Sequence, residues 1–90
     1  LEHIDLLKID TQGYEMQVLC GAEDLFARRR VKSVLVELNF ADFYSGQVAA
    51  HTVIQHLNER GLQLVEFYEK CRHPPYLSWC TALFTLRSPQ

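Results

Sequence analysis

What this 90-residue sequence lacks excludes several classes of protein at once. No apolar run approaches the roughly 20 residues that cross a bilayer, so no membrane span is expected. No signal-peptide pattern opens the sequence either, and a cytoplasmic protein is the expectation. Its three cysteines, Cys20, Cys71 and Cys80, are odd in number and never fall in a metal spacing such as C-x₂-C. They are expected as reduced thiols in or near the core, with a Cys71–Cys80 pair across a hairpin left open by sequence. His3, His51, His56 and His73 are scattered without ligand spacing, so no metal site is expected. Basic charge is also scarce. Arg28-Arg29-Arg30, with Lys32 close behind, is the one cluster in a chain of net charge −2 and pI near 6.1. That balance argues against a nucleic-acid partner, and the run suits a helix C-terminus, where cations complement the dipole. No repeat, linker or low-complexity segment interrupts the chain.

What remains is an ordinary globular composition, 48% apolar and 22% charged, at a length that allows one small domain. Residues 4–9 (IDLLKI) form a short apolar run that stops at Asp10 and a Thr-Gln-Gly turn, the pattern of a strand covered on both faces. From Tyr14 the period changes. Val18, Leu19, Ala22, Leu25 and Phe26 recur at helical spacing, with Glu15 in the first turn and the arginines expected in the last. Gly21 should weaken this helix by about 1 kcal/mol relative to alanine. The apolar stripe runs straight through it, so a packing role is expected there rather than a break. Val31 to Leu38 reads as the second strand, followed by a polar turn from Asn39 and irregular chain to residue 50. Val53, Ile54 and Leu57 mark a second helix, capped by His51 or Thr52 and ended by Gly61 at C′. Leu62 to Tyr68 is a third strand and Trp79 to Leu86 a fourth. Residues 69–78 are expected as a loop, because Pro74-Pro75 joins neither ladder nor helix.

The order strand, helix, strand, helix, strand, strand predicts an α/β fold. Right-handed crossovers join parallel strands, and a closing antiparallel hairpin strand makes the sheet mixed. With only two crossover helices, the first strand would show an uncovered edge. The expectation is part of a larger domain, with self-association through that edge.

Ile4-Asp5-Leu6-Leu7-Lys8-Ile9-Asp10-Thr11-Gln12-Gly13-Tyr14-Glu15 resembles the IDLLKIDVEGAE segment of FkbM-type methyltransferases. Val18-Leu19-Cys20-Gly21-Ala22 is similar to its V-L-x-G-A continuation. Val34-Leu35-Val36-Glu37 resembles a strand of that family ending on glutamate, Arg60-Gly61-Leu62 a helix end, and Ala82-Leu83-Phe84 its closing A-L-F strand. The resemblance implies a Rossmann-like class I methyltransferase using S-adenosylmethionine, in most members methylating a hydroxyl. It places residues 1–90 as the C-terminal portion of that domain, the fourth to seventh strands of seven, the last antiparallel. Gln12 stands where the family usually has a glutamate, and Tyr14 replaces a small residue. The first change removes a charge from the site and the second adds bulk. The glycine-rich turn and the acidic residue that hold the cofactor in Rossmann-like folds have no counterpart here: the sequence contains no G-x-G. The cofactor-binding residues are therefore unknown, and the 90 residues alone should bind S-adenosylmethionine weakly or not at all.

In open α/β sheets ligands lie beyond the carboxyl ends of the parallel strands. Asp10 and Glu37 end adjacent strands and are the candidate catalytic residues. Methyl transfer to a hydroxyl needs an oriented oxygen and a base for its proton. Asp10 suits that role, and equally suits capping of the following helix. Glu37 is either a site residue or half of a structural pair, since a carboxylate at a buried strand end requires a partner. Lys8 shares a strand face with Asp10 and joins Gln12, Glu15 and Asn39 as candidate contacts to a small-molecule acceptor. Lys8 could instead be solvated, and Glu15 could steady the helix start. Phe40, Phe43 and Tyr44 are expected as lid or packing groups, and Trp79 as core or hairpin packing. A non-catalytic half-domain that assembles through its open edge is the alternative from a different class. A receiver-type domain fits the closing hairpin poorly.

Overall fold

A computed structural model describes residues 4–10, 15–40 and 49–87. The expectations on Gln12, Tyr14, Phe43 and Tyr44 lie outside the described residues. The elements run β1 (Leu7–Ile9), α1 (Glu15–Gly21), α2 (Glu23–Ala27), β2 (Ser33–Asn39), α3 (Ala50–Glu59), β3 (Leu62–His73) and β4 (Tyr76–Leu86). They build one four-stranded mixed sheet in the order β1-β2-β4-β3. β1 and β2 pair in parallel, with Lys8 opposite Leu35 and Ile9 opposite Val36. β4 runs antiparallel to both neighbours and lies between β2 and β3, so its register joins Val34 to Phe84 on one side and Leu64 to Phe84 on the other.

Strand alternation sorts the sheet into two unlike faces. Val34, Val36 and Leu38 of β2 and Cys80, Ala82 and Phe84 of β4 are completely buried. They pack in one core with Ile9 and with Leu19, Phe26, Val53 and Leu57 from the helices. The alternate positions Leu35, Glu37, Trp79, Thr81 and Leu83 are only partly buried. Both crossovers therefore cover the same face. The opposite face has no helix over it among the described residues.

Several local expectations change. β1 is shorter than the 4–9 run suggested, preceded by an isolated parallel bridge from Ile4 to Val31. It is not covered on both faces: Ile9 is buried while Leu6, Lys8 and Asp10 are exposed. Its outer edge pairs with no other strand among the described residues.

The first helix is interrupted at Ala22 (φ −98°, ψ 12°). A Cβ on Gly21 would meet nothing within 4 Å, so that glycine does not serve packing, and Cys20 beside it is exposed rather than near the core. The arginines lie past the helix end. Arg29 takes a left-handed φ of 56°, its N–H donates to the Phe26 carbonyl at 3.0 Å, and the Arg30 N–H donates to the Leu25 carbonyl at 2.9 Å. This pair of bonds is a Schellman closure with arginine where glycine is usual. α3 starts on Ala49 with no side-chain cap, not on His51 or Thr52, and it ends as expected on Gly61 at φ 85°.

The largest revision concerns residues 69–78. They are strand on both sides of a turn at Pro74-Pro75, so β3 and β4 form one long hairpin. Proline is excluded only where a ladder N–H is needed, and a two-residue turn needs none. Cys71 lies opposite Trp79, which leaves Cys80 on the other face, and all three cysteines are free thiols. Burial pushes the Cys80 thiol above its ordinary pKa, as befits an inert core residue.

α2 and α3 are joined by the Arg60 Nε, which donates to both carboxylate oxygens of Glu23 at 2.8 and 3.0 Å. Beneath that pair the buried imidazole of His56 has its Nε2 3.9 Å from Glu23. Burial first, then the Arg60 guanidinium, holds its pKa below the usual histidine value despite Glu23 and Glu59. The packing favours a neutral ring.

Candidate functional site

The carboxyl ends of β1 and β2 come together on the uncovered face of the sheet. A cleft of about 180 Å³ opens there, lined by Lys8, Ile9, Asp10, Leu35, Glu37, Glu69, Trp79 and Thr81. The parallel register explains the grouping. Lys8 lies opposite Leu35, so Asp10, two residues on, reaches the level of Glu37. Glu37 in turn lies opposite Thr81 on β4. Glu37 is half-buried and has an interaction partner, as its location requires.

The hairpin brings the remaining wall. Between Tyr68 and Cys71 the β3–β4 register shifts, and Glu69 within that bulge has a left-handed φ of 50°. A bulge re-aims a side chain that regular pairing would turn elsewhere. The Thr81 hydroxyl donates to Glu69 Oε1 at 3.1 Å, fixing the carboxylate at the cleft. The half-buried indole of Trp79 supplies an aromatic surface beside it.

Of the six residues expected at the site, the structure brings Lys8, Asp10 and Glu37 to one cleft. Glu15 opens α1. Gln12 lies outside the described residues. Asn39 is buried at 4% exposure and lines a different cavity, of about 220 Å³, with Phe40 and the start of α3. Its Oδ1 has no hydrogen-bond partner among the described residues. Phe40 itself is 47% exposed, so it packs only partly.

Sequence reasoning missed Glu69 and Thr81 and gave Trp79 a packing role only. The alternation of apolar residues through Trp79-Cys80-Thr81-Ala82 was the available signal for the two β4 residues. Glu69 gave none, since a bulge has no composition mark of its own.

Chemically, the cleft offers carboxylates able to accept protons or hydrogen bonds, one ammonium donor and one aromatic wall. Its volume is below the roughly 300–1,000 Å³ usual for a drug-sized ligand, so it suits a small polar group. This cleft accordingly does not fit a whole S-adenosylmethionine. No cluster of histidine, cysteine and carboxylate ligands able to hold a metal occurs among the described residues, nor any helix long and apolar enough to cross a membrane.

A polar cleft on the face of a mixed α/β sheet, reaching the carboxyl ends of two adjacent parallel strands, suits a ligand-handling α/β protein. The particular kind follows from comparison of the sequence. A family model described as the methyltransferase FkbM domain matches residues 1–64, more than two thirds of the chain. The chain belongs to the FkbM methyltransferase family. No curated protein and no solved structure matches it. The matched region carries β1 through the first residues of β3, hence Lys8, Asp10 and Glu37, whereas Glu69, Trp79 and Thr81 lie beyond it.

Proposed function

We propose that residues 1–90 form the acceptor-side, C-terminal portion of an S-adenosylmethionine-dependent O-methyltransferase. In this reading the four strands are the fourth to seventh of a seven-stranded Rossmann-like sheet, and the cofactor is held by residues outside the 90. The observation that carries the reading is the meeting of Asp10 and Glu37 at one cleft, in a chain whose family is that of FkbM methyltransferases. The antiparallel β4 and the uncovered sheet face support the placement within a larger sheet.

S-adenosylmethionine, when bound, supplies an electrophilic methyl group. This chain's residues orient the receiving hydroxyl and dispose of its proton. Asp10 accepts the proton, and Glu37 accepts a hydrogen bond from a neighbouring donor of the acceptor molecule, which fixes the direction of the reacting oxygen. Lys8 donates to a neighbouring polar atom of the acceptor. Gln12 and Glu15 contribute further acceptor contacts, whereas Asn39, in its separate cavity, does not. The test is transfer of isotope-labelled methyl from S-adenosylmethionine by the complete domain. Label recovered on an oxygen of a small hydroxylated acceptor is expected; label on nitrogen or carbon alone would remove the O-methyltransferase reading.

The outer edge of β1, which pairs with no other strand among the described residues, favours a second reading, a half-domain that assembles with another copy of itself. Such pairing predicts a mass that rises with concentration in light scattering. A monomer throughout the accessible concentration range would eliminate it.

A further inference from the structure

α3 begins without the groups that usually satisfy a helix start. Its N-cap, Ala49, makes no side-chain cap bond, and its first turn holds no acidic residue. The Thr52 and Val53 amides donate to the Ala49 carbonyl, whereas those of Ala50 and His51 have no acceptor among the described residues. Such free donors and the helix dipole together place about half a positive charge at this end. A cavity of about 220 Å³ opens on it, lined by Asn39, Phe40, Ala49, Ala50, His51 and Ile54. None of these six residues lines the cleft of Asp10 and Glu37.

Asn39 brings the complementary need to the same cavity. It is 96% buried, and its Oδ1 has no hydrogen-bond partner among the described residues. A buried acceptor without a donor is costly, and native structures leave few of them. The occupant must therefore carry negative charge for the helix start and a hydrogen for Asn39. We propose that this cavity binds a phosphate group, whose P–OH donates to Asn39 Oδ1 while its other oxygens accept from the Ala50 and His51 amides. Carboxylates and sulfate offset the helix charge but have no hydrogen to give near neutral pH. A neutral alcohol has the hydrogen and no charge. Free phosphate has both, and so does a phosphate monoester near pH 6, where about half of it keeps its second proton. The apolar walls from Ile54 and the two alanines strengthen each of these bonds by keeping the local dielectric low.

Calorimetric titration of the 90-residue chain at that pH compares inorganic phosphate, glycerol 3-phosphate and sulfate. Saturation at one site per chain by a phosphate, at least tenfold tighter than by sulfate, is expected. Whichever phosphate binds more tightly identifies the source, a phosphorylated molecule or the free ion. Asn39→Leu should abolish the preference over sulfate with the melting temperature unchanged or raised, since an apolar side chain of similar volume replaces an unpaired acceptor. Ala50→Pro removes one donor at a position where proline suits a helix, after an Ala49 already extended at ψ 146°. It should weaken phosphate binding at least tenfold with the helix content retained. Sulfate binding as tight as phosphate, no saturation by either phosphate, or unchanged phosphate affinity in either variant would each overturn the proposal. None of these outcomes depends on methyl transfer, so the methyltransferase reading stands or falls on its own test.

Discussion

Asp10→Asn should lower methyl transfer by the complete domain about 10²- to 10⁴-fold, the usual contribution of a positioned base. The substitution separates the two roles that Asp10 can have. Asparagine caps a helix about as well as aspartate, because either side-chain oxygen accepts from the first-turn amides. If Asp10 served only as a cap, the variant would keep both stability and activity. As a base, Asp10 loses its proton-accepting carboxylate while the strand-to-helix corner keeps its shape. The fall should appear in kcat at saturating acceptor, with the melting temperature almost unmoved. An unchanged kcat would assign Asp10 to the corner alone. Glu37→Gln should have a smaller effect, since an amide oxygen still accepts a directing hydrogen bond.

Phe84→Ala should remove about 3–5 kcal/mol of folding free energy. Phe84 is fully buried on β4, the strand that touches both β2 and β3, and it lies level with Val34 on one side and Leu64 on the other. It is also the largest of the completely buried side chains. Truncation therefore opens a cavity against rigid strands on both sides, where collapse is least able to refill it. Domains of this size have about 5–15 kcal/mol in total, so the variant should lose much of its urea midpoint or fail to fold. Thr85→Ala next to it is an exposed-face control and should stay within about 0.5 kcal/mol of the parent. A loss below about 1 kcal/mol for Phe84→Ala would mean that β4 is not the centre of the core.

Much of this architecture could be read from local pattern because local pattern causes it. The apolar run Val34-Leu35-Val36 became a strand with both valines fully buried, and Gly61 ended α3 because only glycine takes a left-handed φ there without strain. The order of parallel crossovers followed from alternating periods. The failures have equally physical origins. Arg29 closes α2 in a left-handed conformation that an arginine does not advertise. Pro74-Pro75 occupies only the turn and leaves the residues on either side free to pair, so the hairpin is longer than its prolines suggest. The wall that the hairpin adds to the cleft is hidden from sequence for the same reason.

The candidate site was legible in its β1 and β2 residues and not in those of the hairpin. Lys8, Asp10 and Glu37 share one parallel register, which sequence order and alternation dictate. Glu69 depends on an irregularity in β3 against β4, a product of tertiary pairing. Asn39 follows Glu37 by two residues, yet it is buried against a separate cavity near α3. Alternation alone does not fix a side chain's surroundings at a strand end: Asn39 still pairs with Trp79 in the ladder, yet its cavity is shared with Phe40 and the start of α3.

The central claim is that this chain holds the acceptor side of a methyltransferase and that the cofactor is held elsewhere. Calorimetric titration of S-adenosylmethionine into the 90-residue chain tests it most directly. The account predicts no binding at micromolar concentrations, because a cleft of about 180 Å³ without a glycine-rich turn cannot enclose the nucleoside. Micromolar binding with one site per chain would contradict it.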